Sequence, residues 1–207
     1  MPVKIVLRKR YDFSPFRRIL NLLLQAPLGD TVLLCSGYIW QPSRRYNILN
    51  DGLRNAILNG CANGELITVA GKFNPGYYRY YSNFYHNFIN DLRRNIKVRA
   101  YYAPRKNWHA KVALRLANNR PVAGIIGSSN LTRPAYGENW RNWNYEADVL
   151  IWIPGILTNY FQQDDIPIEV GKIELILNPD IDQPNEESQL QSIYDDIMGS
   201  ELEEILE

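Results

Sequence analysis

Three short stretches carry the residues whose types and spacing could do chemistry. His109-Ala110-Lys111 sets an imidazole and an ammonium two positions apart, and in an extended strand residues two apart share a side. The lysine could hold an anion while the imidazole acts on it. Read alone, a strand histidine is more often a hydrogen-bonded structural residue. Gly127-Ser128-Ser129-Asn130 follows the apolar run 122–126. The Ser128 hydroxyl and Asn130 amide at a strand end suit phosphate oxygens, although Ser-Ser-Asn is also ordinary turn chemistry. In NYEADV, Glu146 shares a face with Asp148, and its carboxylate could orient an imidazole and fix its tautomer.

The elements that must position these residues alternate along the chain. A basic opening strand (3–7) precedes a helix capped by Ser14-Pro15, with Phe16, Ile19, Leu20 and Leu23 at helical spacing. TVLLCSGYI reads as a buried strand, residues 45–58 as a helix ended by Asn59-Gly60, and GELITVAGKF as a second buried strand. Ser82 is expected to cap a helix with Phe84, Tyr85, Phe88, Ile89 and Leu92 inward. IKVRAYYA, HAKVALRL, VAGIIGS and NYEADVLIWI then follow as strands three to six. In HAKVALRL, His109, Lys111, Ala113 and Arg115 share one face while Ala110, Val112, Leu114 and Leu116 bury the other. Apolar strands alternating with helices, and later strands too close for helices between them, predict an α/β fold: a mixed sheet flanked by helices on both faces.

The chain divides by charge. Residues 1–160 hold 22 Lys and Arg against 8 Asp and Glu, whereas residues 161–207 hold Lys172 alone against 14 acids. The boundaries expected are 1–163 for a catalytic domain and 164–207 for an acidic C-terminal appendage. In the appendage GKIELIL forms a short strand, and Leu190, Ile193, Tyr194, Ile197 and Met198 line an amphipathic helix. A capping box at Ser200-x-x-Glu203 opens a last acidic helix. A net of +14 on the body favours a polyanion. The acidic tail is expected to dock near the basic cleft and compete with that anion, to complete a dimer interface or to bind a protein partner. No run has the length or apolarity of a membrane span or a signal core, so the expectation is a cytoplasmic protein. Cys35 and Cys61 match no metal-ligand spacing and read as reduced, buried thiols.

Taken together, His109-x-Lys111, Gly127-Ser128-x-Asn130 and the downstream Glu146 resemble the phospholipase D superfamily over roughly residues 30–153. The resemblance implies a phospholipase D-like α-β-α sandwich. It also implies a catalytic set in which His109 attacks a phosphodiester and forms a covalent phosphohistidine. Lys111, Ser128 and Asn130 would hold the phosphoryl oxygens, and Glu146 would orient His109. No cofactor and no metal enter this scheme. A second histidine must protonate the leaving oxygen. His86 shares a helical face with Asn90 and Arg93 and has no lysine two residues on, so the single motif copy implies a homodimer with one shared site. Lipid-cleaving members carry Asp at the fifth position after the motif lysine. Leu116 stands there instead, which favours the nuclease branch, and GSSNLT is similar to its metal-independent restriction endonucleases. DNA, with RNA as the alternative, is the expected partner. Arg79, Tyr80, Arg115, Trp140, Arg141 and Trp143 are candidates to line phosphates or stack on bases, against plain helix and loop packing for the tyrosines. The rival readings are a phospholipid or other phosphodiester hydrolase and an inactive DNA-binding subunit.

Overall fold

The computed structural model describes residues 2–40, 52–71, 75–104, 111–162, 172–176 and 186–206, with the backbone alone for 40, 75–81, 172–176 and 186. Among the described residues nine strands form one mixed sheet in the order β10-β1-β9-β7-β6-β2-β4-β5-β11. They are β1 (Pro2–Leu7), β2 (Thr31–Ser36), β4 (Glu65–Gly71), β5 (Lys97–Ala103), β6 (Val112–Ala117), β7 (Arg120–Gly127), β9 (Ala147–Trp152), β10 (Lys172–Ile176) and β11 (Glu203–Glu204). Strands β2, β4 and β5 run parallel, while β6, β7, β9, β1 and β10 each run antiparallel to the strand before them. The carboxyl ends of β2, β4, β5, β7 and β1 therefore meet the amino ends of β6 and β9 at one end of the sheet. At the other end, β6 and β7 are joined through Asn118 and Asn119 at φ 51° and 63°. Asparagine tolerates these values, which suit a two-residue hairpin.

The helices follow the sequence pattern. In α1 (Pro15–Leu24) the Ser14 hydroxyl accepts from Arg17 N, and Phe16, Ile19, Leu20, Leu23 and Leu24 are buried. α2 (Leu53–Gly60) ends where Asn59-Gly60 was expected, and residues 41–51 lie outside the described residues. Helix α3 (Pro75–Arg93) starts a full two turns before Ser82, which is an interior buried residue rather than a cap. With α5 (Ile156–Gln162), these helices cover one face and build the larger core with Val32, Leu34, Leu66, Ala100 and Ile125.

The second face is covered by the tail. Leu190 and Ile197 of α6 (Glu186–Met198) are buried against Leu33, Cys35, Ile67, Val69, Val112 and Leu114, flanked by Ile193, Tyr194 and Met198. Gly124 permits this approach: a side chain there would lie 2.6 Å from Leu114 Cδ2 and 2.9 Å from Leu190 Cδ2. The described residues after 163 supply the edge strands β10 and β11 and the helix α6 on the second face. Ser200 does not open a helix; Glu203 and Glu204 pair with Tyr102 and Tyr101 of β5 instead. Glu187, Asp195 and Asp196 are exposed, and Glu187 meets Arg120 at the hairpin end, 3.6 Å away. A helix that must bury its apolar stripe against a sheet can only turn its charges outward. Among the described residues, no helix is long and apolar enough to cross a membrane.

Candidate active site

Three adjacent strands bring the candidate residues to the sheet end where β7 stops. Gly127 N donates to Lys111 O (3.1 Å), just before β6, and Ser128 N donates to Ala147 O (3.0 Å), where β9 begins. Lys111, Ser128 and Glu146 thus occupy neighbouring chain ends. His109 and residues 105–110 lie outside the described residues.

The groups are already committed to one another. The Ser128 hydroxyl donates to Glu146 Oε2 and accepts from Ala147 N at 3.0 Å. The other Glu146 oxygen accepts from Asn144 Nδ2 at 3.0 Å. Half-buried Lys111 is held below the usual lysine range by desolvation, with the Glu146 carboxylate pulling the other way. One carboxylate therefore takes a hydroxyl proton and acts on the cation that would face a phosphoryl group.

Asn130 is held from β2. Its Oδ1 lies 3.1 Å from Tyr38 N and 3.3 Å from the Ser36 hydroxyl. A backbone N–H can only donate, so the amide oxygen must face Tyr38 and the NH2 group is left as the donor. Donation is what an anionic substrate needs. Ser36 Oγ also accepts from Leu131 N at 3.1 Å, and β3 (Ile39–Trp40) pairs in parallel with β8 (Leu131–Thr132). Together these contacts join the segments after β2 and β7. Sequence reasoning missed Ser36, whose only signal was a hydroxyl closing the run TVLLCS.

A further serine–carboxylate pair lies beneath. Ser129 N (3.2 Å) and Oγ (2.7 Å) both donate to Asp148, which is 2% exposed. Burial pushes the Asp148 carboxyl up to about 6, with the Ser129 hydrogen bonds opposing and the Glu146 charge adding to the rise. Gly127 makes room for it, since any side chain there would run into the Asp148 carboxylate and the Ala147 carbonyl.

The remaining candidates separate clearly. Arg115 is corrected: it is 4% exposed and donates to the carbonyls of Leu28 (3.2 Å), Gly60 (2.6 Å), Ala26 (3.3 Å) and Gly29. These carbonyls terminate helices and turns inside the fold, so Arg115 ties α1 and α2 to the sheet and is not on a nucleic-acid surface. Arg133 stacks on Trp140 at 3.7 Å from the ring centroid, and Arg8 lies 5.6 Å from that of Trp143. Each tryptophan thus braces its loop with one ring face. Arg141 is exposed. Arg79 and Tyr80 fall in the first turns of α3, where only the backbone is described. His86, half-buried on α3, packs on Tyr102 of β5 with ring centroids 6.1 Å apart. Since β5 is three strands from β6, at about 4.8 Å per strand His86 is separated from Lys111 by roughly 14 Å of sheet. Among the described residues no cluster of three His, Cys, Asp or Glu could hold a metal.

Of the solved structures with this arrangement, a phosphatidylserine synthase from Haemophilus influenzae superposes with a TM-score of 0.51 over 95% of this chain and 45% of that one, at 12% identity. The fold is phospholipase D-like. Weaker likenesses are to a polyphosphate kinase from Porphyromonas gingivalis (TM-score 0.48, 14% identity, 77% of this chain and 25% of that one) and to NucT from Helicobacter pylori (TM-score 0.41, 13% identity, 77% and 90%). This chain therefore spans under half the length of the synthase and a quarter of the kinase. No family model matches the sequence, and no curated protein matches it.

Proposed function

We propose that the chain is a metal-independent phosphodiesterase that cuts DNA through a covalent phosphohistidine, with one site shared by two copies. The observation that carries this reading is the gathering of Lys111, Ser128, Asn130 and Glu146 at one end of a phospholipase D-like sheet, two residues along the chain from His109. In the first step the His109 nitrogen attacks phosphorus, a P–N bond forms, and the P–O bond to the leaving alkoxide breaks. The His109 of the second copy protonates that alkoxide, then takes a proton from water as the water oxygen displaces the first histidine. Lys111 and the Asn130 amide donate to phosphoryl oxygens as charge builds, and Glu146 restrains the cations of the site. His86 does not fit the second role, because it packs on β5, and β2 and β4 lie between that strand and β6, where Lys111 stands. The basic balance of residues 1–160 supports a polyanionic substrate.

The test is cleavage of supercoiled plasmid in EDTA by the parent and by His109→Ala. The variant should lose more than about a hundredfold in rate while keeping its fold. Mixed heterodimers holding one His109 should be inactive, and full activity per parent chain would exclude a shared site. Hydrolysis of phosphatidylcholine vesicles with intact plasmid would establish the lipid reading. Binding of plasmid without cleavage would establish an inactive subunit.

A further inference from the structure

Beside Glu146 the sheet end carries side chains that the chemistry above does not use. Leu7 pairs with Ala147, and Arg8 N donates to Glu146 O at 2.9 Å. Lys9 and Tyr145 lie two residues beyond the paired ends of these strands, and both are exposed. Among the described residues four large apolar or aromatic side chains are strongly exposed, and two of them, Tyr145 (63%) and Tyr11 (52%), belong to this corner. Arg141 is exposed on the same loop.

The corner is rigid. The Arg8 guanidinium donates to five carbonyls: Arg10 (3.2 Å), Tyr11 (3.2 Å), Pro134 (2.8 Å), Ala135 (2.6 Å) and Gly137 (2.7 Å). Five acceptors use all five of its N–H donors. Asn139 N donates to Tyr11 O (2.8 Å) and Asn144 N to Pro134 O (3.1 Å), so the segment holding Tyr11 is sewn to the loop that ends in Tyr145. The tryptophans of this loop are braced by Arg133 and Arg8, whereas the tyrosines stand in solvent. An aromatic side chain on an anchored backbone has few torsions left to order when a flat ligand stacks on it.

We propose that Tyr11 and Tyr145, with Lys9 and Arg141, form a stacking shelf that seats unpaired bases of a single strand while the scissile phosphate lies at Lys111 and Asn130. This inference rests on the phosphodiesterase reading and names its substrate class. Bases in a duplex already stack on their neighbours and cannot open a face to a tyrosine, whereas a single strand can stack on any exposed ring whatever its sequence. The cations beside the rings meet the strand's phosphates.

The experiment measures binding in the His109→Ala background and cleavage in the parent, with a 20-nucleotide oligothymidylate, the corresponding duplex and an abasic deoxyribose-phosphate oligomer of the same length. The parent sequence should bind the single strand more tightly than the duplex. Tyr11→Ala/Tyr145→Ala should lose about tenfold or more of single-strand affinity, a double Tyr→Phe variant should retain it, and affinity for the abasic oligomer should not change. Equal single-strand affinity in the alanine and parent proteins overturns the shelf, as does a parent that prefers the duplex. An equal loss on the abasic oligomer overturns it too, since the tyrosines would then be acting without bases. The two readings fail separately: absence of cleavage on every oligomer sinks the phosphodiesterase, while the binding comparison still decides the shelf.

Discussion

Two serine–carboxylate pairs stand side by side where β7 meets β9, and they differ in what they face. Ser128 is exposed and donates a hydrogen bond to Glu146, which also acts on Lys111. Ser129 is buried and gives both its amide and hydroxyl protons to Asp148. Alternation along the turn sends consecutive serines to opposite environments. The outer pair keeps an exposed hydroxyl that a substrate oxygen can compete for. The inner pair has no access to substrate, and its hydrogen bonds fix the backbone on which Ser128 and Asn130 ride. The comparison separates residues that would meet a phosphate from residues that hold them in place.

The largest effect should come from the outer carboxylate. Glu146→Gln keeps the shape and a hydrogen-bonding partner for Ser128 but deletes the charge that supports Lys111 and an imidazolium at His109. Turnover should fall by about a hundredfold or more, with a urea midpoint close to the parent's. A variant that unfolds early and retains its specific activity would place Glu146 with the inner pair and collapse the distinction.

Much of this was legible in the sequence. The two-residue alternation and apolar runs of β2, β4, β6 and β7 announce themselves, as does the α1 cap at Ser14, because local periodicity decides them. The outer site residues carry their chemistry in their type. The inner pair was half visible: Asp148 was seen to share a face with Glu146, but nothing local says that it reaches Ser129 across a strand junction. Arg115 misled because arginine on a strand reads as surface, whereas here four backbone carbonyls that no neighbour in sequence reveals absorb its charge. The tail was legible in part: the stripe of Leu190 and Ile197 marks the apolar face of α6, whereas the two-residue β11 is too short to leave a pattern.

The two serines offer a sharper cut of intermediate size. Ser128→Ala removes an exposed hydroxyl from Glu146, which is 6% exposed but keeps the Asn144 donor, so stability should fall by about 1 kcal/mol or less. Activity should drop tenfold or more. Ser129→Ala takes a donor from a buried carboxylate and should cost about 1–3 kcal/mol in urea unfolding. Its activity, measured well below the midpoint, should be reduced less than that of Ser128→Ala. Identical profiles for the two alanine variants would mean that the turn acts as one unit and that the division into inner and outer pairs is false.

The smallest effect is a slope. An unfolded aspartate titrates near 3.8 and burial moves Asp148 up to about 6, so between those values the folded protein holds the proton that the unfolded chain has released. Stability then falls as pH rises through that window, because the unfolded state binds fewer protons than the native one. The full contribution is present below the lower value and is gone above the upper one. Two pH units of separation set a ceiling of about 3 kcal/mol. Asp148→Asn cannot titrate, so the difference in unfolding free energy between parent and variant should shrink steadily from pH 4 to 6.5, with the parent losing its low-pH advantage. Groups elsewhere cancel in this difference, and Glu146→Gln with and without Asp148→Asn removes the one neighbouring carboxylate that raises the Asp148 value. A difference that stays flat over the window would mean that the Ser129 hydrogen bonds offset burial and leave Asp148 near the ordinary aspartate value.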